Sequence, residues 1–574
     1  VCGAVMNSAA FSDLLNQPAR DGRETGGQGR ETGAMKGLEI VVVLLTAVLV
    51  LSWTARRLGL SEPVLLLLGG VLIGAIPEFP SIHLPSDVVL LIFLPPLLYA
   101  ETLTISLQQI RANLRVIVLL SVGLVLVTTV TVASTAHGFG LAWPIAFVLG
   151  AVLAPTDATA VASVARGMPR RMLTVMRAES LINDGTALVV FAVAVEIAIG
   201  ETTFGWGSAL WRFALSYAGG LGIGAVVALL VIAVRQRIHD PAVESGLSVL
   251  TPFAAYLPAE LAGVSGVLAV VVCGLIMSRM SPLLIRASSR TRTLAFWGVA
   301  AFLLNGSLFV LVGVQLPSAL LGLQSLTPHQ AAALAAAVVG VVIGTRLLYL
   351  NVTPYVIRAV DRRPQQRARR TSVRERVPGA WGGVRGGVSL AAALAVPVLA
   401  GDGSRLVGRD VIVFVTAIVI MATLILQGQT LPTVIRWSRL PPDPDEDAEE
   451  LLARRRVVET ALEELPDEAA RLGTPQYVTD RLAQELREHA EELSQDSEAT
   501  HHTEHELRGA LLRVERTALV ALRDTHRIDD AVLRRVEANL DAEELRLELR
   551  AATTRVTARA HPPARDDPDG QDSD

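Results

Sequence analysis

Cysteine is almost absent from this sequence: 574 residues hold two, Cys2 and Cys273, far apart and the second inside an apolar run. That excludes a disulfide framework. Lysine is scarcer still. Lys36 is the only one, so nearly all positive charge is arginine, a bias of genome composition rather than of function. Residues 1–34 ("GRETGGQGRETG" within them) are polar and lack the apolar core, about 7–15 residues long, that a signal peptide requires. Residues 1–36 read as a disordered leader or an over-long start, with Met35 opening directly onto the first apolar run. Charge is missing from long stretches. At 51% hydrophobic residues and a mean hydropathy of +0.46, the chain is too apolar for an average soluble protein and reads as a polytopic membrane protein.

The charge that remains is unevenly placed. From Pro441 onward 18 Arg stand against 34 Asp and Glu, a net of −16, while the whole chain carries −4, so residues 1–440 carry +12. An acidic soluble tail follows a basic membrane body. Thirteen apolar runs of about spanning length precede the tail: 38–54, 63–77, 86–104, 114–136, 141–165, 173–199, 207–234, 243–259, 263–279, 294–316, 328–350, 381–400 and 409–432. Arginine follows every odd-numbered run: Arg56/Arg57, Arg111/Arg115, Arg166/Arg170/Arg171, Arg235/Arg237, Arg279/Arg286/Arg290, the cluster from Arg358 to Arg376, and Arg436/Arg439. The even connections carry only Arg212, Arg405 and Arg409. Cytoplasmic loops are enriched in Arg and Lys, so this alternation puts the N-terminus outside and the C-terminus in the cytoplasm.

After the break at "RLPPDPDEDAEE", Leu and Val recur at helical spacing among alternating charges, predicting helices near 449–472, 476–495, 502–524 and 528–552. Residues 561–574 read as disordered. Three domains follow: leader 1–36, membrane domain 37–440, and acidic helical tail 441–574. Six of the ten histidines lie in the tail (His489, His501, His502, His505, His526 and His561). A pH sensor, a metal site at "HHTEH", or a solvated helical domain for assembly all fit them.

Ionisable groups inside the runs are costly and therefore informative. Those singled out are Glu101 in "IFLPPLLYAETL", Asp157 beside Thr156, Glu179 and Asp184 with Ser180 and Asn183 in "RAESLINDGTALVVF", Arg346 and Arg385. Ser180 and Asp184 are four apart and share a helix face, as do Glu179 and Asn183. Such oxygen donors suit a hard monovalent cation, by extension from the rules for hard divalent ions. Pro155 before Thr156-Asp157, and the glycines 382, 383, 386 and 387 around Arg385, weaken two spans seven apart. Interrupted spans in corresponding positions point to a secondary transporter built from inverted repeats. Glu179 is read as the partner of Arg385. Arg346 is either a helix-end group snorkelling to water or a neutraliser of the acids, and Glu101 either a solvated helix end or a site residue.

"FLPPLLY", "APTDATAV", "ESLINDGTA", "WGGVRGGVSLA" and "LQGQTLP", in this order over roughly 38–440, resemble the monovalent cation:proton antiporter family of NhaP-type and animal sodium/proton exchangers. The resemblance implies a homodimer in the plasma membrane that exchanges Na+ (or Li+ or K+) for H+, serving pH and sodium homeostasis. It implies ion or proton binding at Asp184, with Asp157, Ser180 and Thr156 as further Na+ ligands and Glu101 a weaker carry-over. It also implies that Asn183 holds the crossing helices together, and that the Asn183-Asp184 pair marks an electroneutral exchanger. A potassium/proton antiporter of the same fold, or a non-transporting sensor with the tail as output, is the alternative. No cofactor, no enzymatic chemistry and no nucleic-acid partner is expected. The fold class is all-α: about thirteen transmembrane helices, two of them interrupted crossing helices, plus a helical cytoplasmic tail.

Overall fold

Prolines, glycines and short polar caps decide where the apolar runs start and stop as helices. The computed structural model describes residues 28–76, 86–103, 117–165, 168–200, 206–238, 240–285, 287–323, 325–360, 372–440 and 444–492, with scattered positions at 105–110 and 507–547. Among these residues the chain is helical, with one isolated β-bridge between Leu399 and Arg405.

The helices are α1 (Gln28–Leu58), α2 (Glu62–Gly74), α3 (Ser86–Thr102), α4 (Leu124–Gly138, entered through a π-helical turn at Leu119–Gly123), α5 (Trp143–Leu153), α6 (Ala158–Val164) and α7 (Arg170–Ala198). There follow α8 (Trp206–Arg235), α9 (Pro241–Leu261), α10 (Gly266–Leu284), α11 (Ala287–Leu321), α12 (Pro328–Val360), α13 (Val373–Trp381), α14 (Gly387–Leu394) and α15 (Arg409–Ser438). Eight of the helical spans are long and apolar enough to cross a membrane, and α2, part of α3 and part of α10 are shorter apolar helices. Each of the thirteen apolar runs overlaps at least one of these helices among the described residues.

Local chemistry explains several boundaries. Asp240 caps α9 by accepting from the Ala242 and Val243 N–H groups at 2.7 and 3.1 Å, and Pro241 fills the first position, where no N–H is needed. Ser265 caps α10 through Leu268 N–H at 3.2 Å. Ser372 and Glu375 form a reciprocal capping box that starts α13.

Both expected interruptions are present. The first separates α5 from α6 at residues 154–157, with Asp157 extended at φ −100° and ψ 101°. The second separates α13 from α14 at residues 382–386. The second interrupted span begins earlier than its apolar run, because α13 ("VRERVPGAW") is too charged to register as hydrophobic. Likewise α1 starts at Gln28, inside the stretch expected to be a leader; residues 1–27 lie outside the described residues.

Two hydrophobic clusters fill the membrane unit. One gathers α2, α3, α10 and α11 with parts of α7 and α15. The other gathers α4, α5 and α12 with parts of α7, α14 and α15. Helices α2 and α11 touch backbone to backbone: a Cβ on Gly70 would collide with the Val310 carbonyl, and one on Gly313 with the Leu67 carbonyl. This anchors α11 firmly against α2.

The chain divides into two compact units at Pro441/Pro442. In the second, α16 (Pro444–Leu472) ends in a Schellman turn, with Thr474 N–H donating to Ala469 O at 2.9 Å and Gly473 N–H to Ala470 O. Helix α17 (Gln476–Glu492) folds back so that Leu486 and Ala490 cover Leu451, Val458 and Leu462. The third and fourth tail helices fall on residues only partly described, and "HHTEH" lies outside the described residues.

Candidate functional site

The two interruptions meet. Asp157 N–H donates to the Val384 carbonyl at 2.7 Å, joining the extended segment of the first break to that of the second. A Cβ on Gly386 would collide with the Asp157 carboxyl group, so only glycine lets the segments come this close. Four helix ends now point at one another in the interior, and each leaves backbone groups without an intrahelical partner.

Fixed charges answer those ends. The Asp157 carboxylate accepts from Thr159 N–H at 2.9 Å and Ala160 N–H at 3.0 Å, capping α6, and the Gly387 N–H at the start of α14 faces it too. Arg385 serves the opposite ends. Its Nε donates to Leu153 O, the last carbonyl of α5, at 3.1 Å, and its Nη1 donates to Gly383 O just beyond α13. Anion at the N-termini and cation at the C-termini is the arrangement helix dipoles favour.

Helix α7 runs past this crossing and is stitched to it. Ser180 Oγ donates to Thr156 O at 2.6 Å and accepts from Ala158 N–H at 3.3 Å. Asn183 Nδ2 donates to Thr156 Oγ1 at 2.9 Å. One turn away, Glu179 meets Arg346 rather than Arg385: Arg346 Nη1 lies 2.5 Å from Glu179 Oε1, and Nη2 donates to Gly379 O at 3.3 Å. The pairing read from sequence is thereby corrected. Arg385 is taken up by carbonyls at the helix ends, while Arg346 on α12 is 1% exposed and lies directly against Gly383. Arg346 is therefore not a snorkelling group.

A cavity opens beside the crossing, lined by Leu97, Leu98 and Glu101 from α3, by Pro155, Thr156 and Asp157 from the first break, and by Ser180 and Asp184 from α7. Asn305 from α11 and Gly386 to Ser389 from the second break complete it. It gathers all five residues expected to bind ion or proton. Glu179, Asn183, Arg346 and Arg385 lie behind its wall. Glu101 Oε1 accepts from Thr159 Oγ1 at 2.5 Å, which ties α3 to α6. Asp184 is 4% exposed, its Oδ1 is buried with no hydrogen-bond partner, and Glu101 and Asp157 are both close enough to repel its charge.

Sequence reasoning missed Thr159, Asn305 and Ser389, because it took neutral polar groups only where they adjoin an ionisable one. An amide in "AFLLNGSLF" and a hydroxyl four residues after Arg385 were the available signals.

Comparisons with known proteins agree with this architecture. Residues 42–437 match the family model for the transmembrane sodium/hydrogen exchanger. An uncharacterized Na+/H+ exchanger of Mycobacterium tuberculosis is 44% identical over 538 residues, covering 92% of this chain and 98% of that protein. The Na+/H+ antiporter ApNhaP of Aphanothece halophytica is 34% identical over 399 residues, covering 68% and 73%. In fold, the chain is similar to the sodium proton antiporter MjNhaP1 of Methanocaldococcus jannaschii, with a TM-score of 0.55 at 18% identity over 70% of this chain and 98% of that one. The protein is a multi-pass membrane transporter and not an enzyme. By the extent of the match and the identity of its relatives, the chain belongs to the sodium/hydrogen exchanger family.

Proposed function

We propose that, within its cation/proton antiporter family, this chain exchanges Na+ for H+ electroneutrally by alternating access, with Asp184 as the shared carrier. The observation that carries this reading is the state of Asp184. It is a buried carboxylate with an unpartnered oxygen on a cavity, beside an Asp157 engaged by two backbone N–H groups and a Glu101 that accepts from Thr159. A carboxylate in such a place is not stable both empty and charged. A proton or a monovalent cation neutralises it, and either occupant makes the same net charge. Competition for one group is then the coupling, and the loaded site changes sides while the bare one does not.

Thr156, Asp157, Ser180 and Glu101 surround the carrier and are proposed as Na+ ligands or shapers of the site. Oxygen donors of this kind also accept Li+ and K+. A Bacillus pumilus relative, 30% identical over 69% of this chain and 61% of its own length, is a sodium, potassium, lithium and rubidium/H+ antiporter. Asn183 holds α7 to the first break, and the Glu179–Arg346 pair fixes α7 to α12. We further propose a homodimer in the plasma membrane with the N-terminus outside and residues 441–574 as a cytoplasmic helical tail following a membrane domain at 37–440.

Asp184→Asn is expected to abolish Na+-dependent proton movement in everted vesicles while the protein still inserts. Full activity in that variant refutes the carrier assignment.

A further inference from the structure

The side chains expected to ligate the cation are largely occupied by the fold itself. Ser180 Oγ both donates to Thr156 O and accepts from Ala158 N–H, Thr156 Oγ1 accepts from Asn183, and Asp157 Oδ1 accepts two backbone N–H groups. Yet a hard cation that sheds its water needs several oxygens around it. Two buried oxygens on this cavity have no hydrogen-bond partner: Asp184 Oδ1 and Ser389 Oγ. Ser389 sits in the first turn of α14 and is 1% exposed. A buried hydroxyl left without a partner costs free energy, and Ser389, unlike the other such hydroxyls among the described residues, faces the cavity that holds Asp184.

Helix α11 supplies a third oxygen on the cavity. Asn305 is an amide in the middle of the long apolar helix α11, and its Oδ1 lies against Gly387, two residues before Ser389. Helix α11 is locked to α2 by the glycine contacts at Gly70 and Gly313, so Asn305 is presented from a rigid neighbour rather than from the crossing.

We propose that Ser389 Oγ and Asn305 Oδ1 are ligands of the transported cation and complete its shell together with Asp184. Both are neutral, so they add oxygen donors without adding charge to the site. A proton needs only the Asp184 carboxylate. A cation needs the carboxylate and the two neutral oxygens. Ser389 and Asn305 therefore set affinity for the cation without setting affinity for the proton, and their spacing selects among Li+, Na+ and K+. This rests on the Asp184 carrier reading.

The test is Na+-driven dissipation of a pH gradient by the purified full chain in liposomes, over a range of Na+ concentration and pH. Ser389→Ala and Asn305→Ala are each expected to raise the apparent KM for Na+ about tenfold, the effect of one lost contact to a charge. Vmax and the proton dependence should stay near wild type, and the ratio of KM values for Li+, Na+ and K+ should change. Ser389→Thr, which keeps the hydroxyl, is expected to restore KM. Should an alanine variant not assemble, Ser389→Cys and Asn305→Ser carry the same expectation. Wild-type KM for every cation in these variants overturns the proposal. So does a fall in Vmax with KM and selectivity unchanged, which marks a merely structural role. Asp184→Asn run in parallel separates the two readings. Activity in that variant removes the carrier, whereas an inactive Asp184→Asn beside unaltered KM in the Ser389 and Asn305 variants removes this inference alone.

Discussion

Replacing Arg346 with methionine tests the electrostatic frame of the site without touching the cargo. Glu179 and Arg346 are both buried, with side chains 2% and 1% exposed, and their charged atoms approach to 2.5 Å. Removing one partner of a buried pair strands the other charge, at about 3–5 kcal/mol. Arg346→Met also deletes the bond to Gly379 O, adding about 1 kcal/mol. Glu179→Gln leaves a buried guanidinium with the same order of penalty. In the double variant no charge is stranded, and what remains is the Gly379 carbonyl and imperfect packing, about 2 kcal/mol. The coupling energy between the two sites is therefore about 5 kcal/mol or more, in favour of the pair.

Thermal denaturation in detergent at a fixed scan rate, followed by tryptophan fluorescence, reads this as a pattern. At about 2 °C per kcal/mol, Glu179→Gln should melt about 6–10 °C lower and Arg346→Met about 8–12 °C lower. The double variant should recover most of that loss. The same cycle between Glu179 and Arg385 is the control. Arg385 donates to Leu153 O and Gly383 O and feels the Glu179 charge without a direct bond to it, so its coupling to Glu179 should stay well below that of Arg346. A larger coupling to Arg385 than to Arg346, or a double variant as unstable as both singles combined, refutes the assignment.

Gly386→Ala should abolish exchange or prevent assembly, since the new Cβ meets the Asp157 carboxyl, whereas Gly428→Ala in α15, where a Cβ meets nothing, should be tolerated in the same transport assay. Competition for one carboxylate makes the apparent KM for Na+ rise as pH falls, approaching about tenfold per pH unit at the acid end with Vmax constant; a KM independent of pH in liposomes contradicts it. An imposed membrane potential should leave the exchange rate unchanged, because a carrier moving one net charge would instead feel about 2.3 kcal/mol per 100 mV.

Much of this site is legible in the sequence because the membrane makes charge expensive. Glu101, Asp157 and Asp184 stand out against apolar surroundings, and the structure gathers them on one cavity. Pro155 and the glycines around Arg385 mark both interruptions, since a missing N–H and a missing Cβ leave traces in sequence. Which arginine meets Glu179 was not legible. Arg346 and Arg385 are each one guanidinium in an apolar run, and the choice depends on how α12 and the second break are placed around α7. Neutral ligands are the least visible. Ser389 and Asn305 look like ordinary helix polar residues until the cavity shows them without partners or facing it. The half-helix α13 was hidden because Arg374, Glu375 and Arg376 depress its hydropathy, although Ser372 and Glu375 spell its capping box.

The crossing also explains why one carboxylate must remain for the cargo. Two interrupted spans bring two positive and two negative helix ends together away from water. Asp157 answers the N–H ends and Arg385 the carbonyl ends, one negative charge and one positive, so the crossing is neutral by its own means. Glu179 and Arg346 form a second neutral pair behind it, and the Arg177 guanidinium offsets the Glu101 charge. Asp184 is then an added charge with no counterpart in the frame, and Glu101 and Asp157 nearby make its bare state worse. Its neutraliser has to come from solution, and the only requirement the frame sets is one positive charge small enough for the cavity. A proton and a monovalent cation both meet that requirement, and they cannot meet it together. With Asp184 as the proposed carrier, exchange of one for the other follows from the charge count of the crossing, and selectivity is left to the neutral oxygens proposed as ligands.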